Sequence, residues 1–161
     1  MGILVSINDY GQQPYQFQIN ASNRDSIEDF IDVSEKLWIK TILGETLGDE
    51  FINDPLEARW NKIKEPFVIH DRHCYGLKAC LVAFIYTDLI KRDGVYSAQG
   101  AAKVKSEVNQ GVDIQMNFAQ AYNDGVNQAR MIRHKLHIHK DIEFVNLRMC
   151  EHREFLLTRT F

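Results

Sequence analysis

Histidine is the residue type in this chain most concentrated where chemistry could be done. His134, His137 and His139 lie close together, and Cys150, Glu151 and His152 follow shortly after. Imidazole and thiolate ligands at this density are the kind that hold zinc. The spacing argues against it. His134 and His137 can share one helix face, but His139 points elsewhere, and there is no C-x-x-C pair. Arg130, Arg133, Lys135 and Lys140 surround the group and would repel a cation. Basic residues complementing the negative end of a helix explain the same cluster. No metal ligands and no cofactor are therefore expected. The stretch 130–140 contains no acid. It is a candidate for contact with phosphate or an acidic partner, against the plainer reading of a solvated helix end.

The other candidate sites are weaker. Cys74 follows Asp71 and His73, which suggests a thiol activated by an imidazole. Adjacent residues seldom have the required mutual geometry, and such sites are recognised by geometry rather than adjacency. Glu28, Asp29, Asp32 and Glu35 share one helix surface, which a solvated face explains. The glycines of LGETLGDEF lack the lysine and the spacing of a phosphate loop. Met1-Gly2 with Ser6 matches the short myristoylation pattern, but a strand starting at Ile3 is the plainer reading. No catalytic residue and no enzyme activity is expected.

The elements that must position these residues follow from patterning. The chain has 161 residues, 45% apolar and 25% charged, with a net charge of -3. That suits one globular domain, and the charge gives no hint of nucleic-acid binding. The cysteines (Cys74, Cys80, Cys150) form no pairable framework, so a reduced intracellular fold is expected. No secretory signal is visible. Tyr75 to Gly94 is the most apolar run, with Leu77, Leu81, Phe84 and Ile85 on one face. It is too short and too polar at its ends to cross a bilayer, and reads as a buried core helix. A first helix runs from Asp25 or Ser26 to Gly44, and a shorter one from Glu45 to about Asn53. Residues 54–73 hold a short helix in LEARWNKIK and a brief extended segment at Phe67-Val68-Ile69. The longest helix runs from Asp113 to about His139.

Three segments look β-prone. Residues 1–20 alternate as two strands, Ile3-Val5-Ile7 and Tyr15-Phe17-Ile19, around a turn at Asp9 to Pro14. Residues 95–111 alternate at Val104, Ser106 and Val108 against Lys103, Lys105 and Glu107, and read as a hairpin or projecting loop. The tail 140–161 ends in the strand-like EFLLTRTF. The expected fold is mainly α: a small bundle of three main helices and one or two short ones, within 25–139, carrying β-strand arms. Arms that cannot bury themselves in one subunit suit contacts by strand addition. The candidate contact residues are Tyr15, Phe17, Val95, Tyr96, Gln99, Lys103, Val104, Lys105, Val108, Phe155 and Phe161.

Three phrases recur together in a known group. They are Trp38-Ile39-Lys40-Thr41-Ile42-Leu43-Gly44-Glu45-Thr46-Leu47, then Tyr75-Gly76-Leu77-Lys78 opening an apolar helix, then Arg92-Asp93-Gly94-Val95 at its end. In this order, followed by a small-residue excursion and a long helix, they resemble head–tail connector (adaptor, or neck ring) proteins of tailed bacteriophages, especially those of Bacteroidetes hosts. The resemblance covers roughly residues 25–139, and both termini depart from it. It implies a virion protein of the head–tail interface, assembled in the host cytoplasm. Its subunits form a ring, commonly of twelve, beneath the portal protein. That ring extends the channel for genomic DNA and docks further neck and tail proteins, with no membrane partner. Lys103 and Lys105 on the excursion, or the basic segment with Arg130, Arg133, Lys135 and Lys140, would then face DNA or the portal. The alternative is a small nucleic-acid-binding regulator using the basic end of the long helix.

Overall fold

The computed structural model describes residues 2–11, 14–15, 23–99 and 108–136, with side chains for 2–11, 14–15, 23–92 and 118–136. These residues are mainly helical, with one small antiparallel sheet.

The alternation Ile3-Val5-Ile7 does not make a strand. The amides of Ile3, Leu4 and Val5 all donate to the Glu35 carboxylate, at 2.6, 2.6 and 3.0 Å. A side chain thus satisfies the donors that a sheet ladder would need. Burial pushes the Glu35 carboxyl above its usual range, and the three amides oppose that rise. Next comes a 3-10 turn, Ile7–Tyr10, begun by Ser6. The amide and hydroxyl of Ser6 donate to Asp9 at 2.8 and 3.1 Å. S-x-x-D is a helix-start signal, and here it overrides the period-two pattern. Tyr10, fully buried, donates its hydroxyl to the Val82 carbonyl at 3.5 Å. Of the expected second strand only Tyr15 is described. Its hydroxyl donates to Asp124 at 3.1 Å and its ring lies 5.4 Å from Tyr86, so it is engaged within the subunit. Phe17 lies outside the described residues.

Helix α1, Arg24–Leu43, and helix α2, Glu45–Asn53, match their expected bounds to within a residue or two. Between them Gly44 takes φ +87° and returns its amide to the Lys40 carbonyl at 2.8 Å. Gly48 lets α2 lie directly on α1, since a Cβ there would sit 2.8 Å from the Lys40 Cα. A 3-10 turn, Ala58–Trp60, and the one-turn helix α3, Asn61–Lys64, follow. Trp60 packs edge-on against Phe51, at 5.3 Å between ring centres. Strands β1, Phe67–Ile69, and β2, Arg72–Cys74, form a hairpin with Ile69 opposite Arg72.

Helix α4, Leu77–Gln99, and helix α5, Val108–Lys135, pair along the body and meet α1. Leu77, Leu81, Phe84 and Ile85 are fully buried, as the apolar run requires. Phe84 is the centre of the packing. Trp38 of α1 stacks on it at 4.1 Å and 6°, Tyr122 of α5 meets it edge-on at 5.9 Å, and the Gly125 backbone closes against its ring. The Trp38 indole N–H donates to Asp88 at 2.6 Å, fixing α1 to α4 by a polar handle as well.

The excursion expected at 95–111 is corrected at both ends. Val95, Tyr96 and Gln99 belong to α4, and Val108 begins α5. The core helix is expected to end at Gly94, but an interior glycine costs a helix only about 1 kcal/mol and no proline interrupts 77–99. Lys103, Val104 and Lys105 lie outside the described residues, as do Lys140, Phe155, Phe161 and the whole C-terminal arm. Among the described residues no helix is long and apolar enough to cross a membrane.

Candidate functional site

The β1–β2 hairpin leans on the C-terminal half of α5, and a cleft of about 830 Å³ lies between them. Two residues, His70 and Asp71, join the strands, with φ +46° and +60°. Positive φ at both central positions is what a two-residue type I′ turn needs. Aspartate and histidine are both among the non-glycine residues enriched in that conformation. The turn carries the His70 ring to α5, where its Nε2 lies 3.1 Å from the Nε2 of His134. The ring centres are 5.0 Å apart and tilted by 50°.

Two further contacts hold the hairpin in place. The Tyr75 amide donates to the Gln128 Oε1 at 2.8 Å. The Lys135 ammonium lies 5.3 Å from the Phe67 ring centre. The cleft is lined by Arg72 and His73 from β2, and by Asp124, Asn127, Gln128 and Arg130 from α5, besides the histidine pair. Ile69 and Met131 also line the cleft, so polar and apolar residues border one space, and the Asp124 carboxylate accepts from the Tyr15 hydroxyl. Arg72 and Arg130 at the cleft border are the kind of donors that suit an oxyanion.

The basic residues expected at the end of the long helix are divided by the fold. Arg130 is exposed and lines the cleft. Arg133 is only 4% exposed, and burial lowers its pKa, so it faces inward. Lys135 is spent partly on Phe67. His134 belongs to the cleft, while His137, His139, Cys150 and His152 lie outside the described residues. Among the described residues no group of three metal-ligating side chains converges. Cys74 is 1% exposed, and burial pushes its thiol up, the reverse of an activated nucleophile. Cys80 is fully buried and its thiol points at the Gly125 carbonyl, 3.3 Å away.

Sequence reasoning missed Arg72 and His70 as partners of α5. The signal was faint: two three-residue extended runs separated by two residues, one of them Asp. His-Asp is not among the usual dipeptides of such turns.

The chain was compared with protein-family models, with curated proteins and with solved structures, and none matches it.

Proposed function

We propose that this chain is a structural subunit of a head–tail connector ring of a tailed bacteriophage, lying below the portal protein, extending the DNA channel and docking tail components. The observation that carries this reading is the apolar surface left on a small helical body. Val33 and Leu37 on α1 are 67% and 62% exposed, one helical turn apart, and Leu56 and Tyr75 are exposed as well. Apolar side chains grouped on one helix face suit contact with another chain. The phrases behind the resemblance also coincide with fold-determining positions, which supports the likeness in architecture. Trp38 stacks on Phe84, Gly44 turns the chain from α1 into α2, and Gly76 starts α4. Arg92 reaches back to α1, donating to the Ser26 carbonyl at 3.0 Å and to its hydroxyl.

The test is to locate the subunit in assembled particles. Mass spectrometry of purified virions should find the chain in stoichiometric amounts, and electron microscopy should place it as a ring under the portal. A chain absent from virions sinks the proposal. A chain that is monomeric alone but forms a ring on the portal supports it.

A further inference from the structure

We propose that the cleft between the β1–β2 hairpin and α5 binds a phosphate group, and that binding takes up one proton at the His70–His134 pair. The proposal does not depend on ring assembly. With both imidazoles neutral, the two Nε2 atoms at 3.1 Å can share a single hydrogen, whichever ring carries it. The pair is then closed on itself. When a second proton arrives, both Nε2 atoms become donors and repel each other. An oxyanion placed against both N–H groups removes that conflict, and the pair becomes a clamp.

Charge balance shows why the proton matters. The hairpin presents Arg72, His73 and Asp71 around His70, and α5 presents Asp124, Arg130 and His134, with Lys135 turned to Phe67. Arg133 of α5 is buried. With neutral histidines, the lining sets Arg72 and Arg130 against the Asp124 carboxylate, with Asp71 close by in the turn, and the attraction for an anion is weak. Protonating the pair strengthens it. Tyr75, 66% exposed beside the hairpin, offers a face for a base. The phosphate can belong to a nucleic-acid backbone or to a free nucleotide.

The experiment measures binding of a short labelled single-stranded DNA by fluorescence anisotropy, and of ATP by calorimetry. Each is done at about pH 6 and about pH 8 at constant ionic strength. Affinity for at least one probe should rise as pH falls, approaching tenfold per unit for one linked proton. Calorimetry in two buffers of different ionisation heat should show uptake of roughly one proton. DNA binding without ATP binding identifies the polymer backbone as the source, and equal behaviour of both identifies the phosphate alone. His70→Asn, which tolerates positive φ, and His134→Gln should each flatten the pH response. Arg130→Gln should weaken binding about tenfold at both pH values. Thermal melts confirm that the variants fold. Failure of both probes to bind overturns the proposal. So does binding by the unaltered protein that ignores pH, or a pH response that survives in both folded histidine variants.

Discussion

Glu35 shows how much one side chain can decide. It is fully buried, yet it holds no cation among its described partners; it holds three backbone amides. Glu35→Ala should therefore release residues 2–6 and lower stability by about 2–3 kcal/mol. Hydrogen exchange at Ile3, Leu4 and Val5 should speed up more than at α4. Equal protection in the variant would mean that the segment is held by its apolar side chains instead. Asp9, a few residues on, gives a pH dependence. Burial raises its carboxyl, but Lys78, together with the amide and hydroxyl of Ser6, outweighs burial and holds it below the ordinary 3.8. A depressed folded pKa adds stability that is complete above the unfolded value and is lost as pH falls through the folded one. Urea midpoints should therefore drop on acidification below about pH 4, and Asp9→Asn should lack that component. Gly76 is a third decisive position. Its φ is +90°, and a Cβ would lie 2.2 Å from the Lys64 carbonyl, so Gly76→Ala should cost more than about 2 kcal/mol.

Between elements, the contact of α4 with α5 depends on an absent side chain. A Cβ at Gly125 would meet the Phe84 ring at 2.8–3.0 Å. That ring cannot step aside, because Trp38 stacks on its other side and Tyr122 abuts its edge. Gly125→Ala would gain about 1 kcal/mol of helix propensity, and overpacking costs about 1–3 kcal/mol. Net destabilisation of roughly 1 kcal/mol is expected in urea titration, and a more stable variant would show that the two helices can part freely. The helices themselves were readable because their signals were local and agreed: Gly44 ends α1, Pro55 follows α2, and the run from Leu77 is apolar nearly all round. The N-terminal segment misread as a strand failed for a non-local reason. Its alternation was real, but Glu35, about thirty residues away, took its amides. The cleft was half legible for the same reason. The basic end of α5 is visible in the sequence, but Arg72 and His70 reach it only through a turn with two positive φ angles.

At the scale of the molecule, the unanswered feature is the outer face of α1. Its inner face is buried through Ile27, Ile31, Ile39 and Ile42, so Val33 and Leu37 have no role in the core. Their neighbours are already polar and paired, with Lys36 bound to Asp32 at 2.6 Å. A surface position under no other demand would be filled by a better helix former than valine. Replacing both, Val33→Lys with Leu37→Glu, should leave subunit stability within about 0.5 kcal/mol, because nothing buried is disturbed. If the connector reading holds and this face meets a neighbour, the same double variant should fail to form rings. Light scattering after size exclusion, with and without the portal protein, reads that difference directly. Unchanged rings would remove this face from the interface and leave contacts at Leu56, Tyr75 and the ends of α4 and α5 to close them.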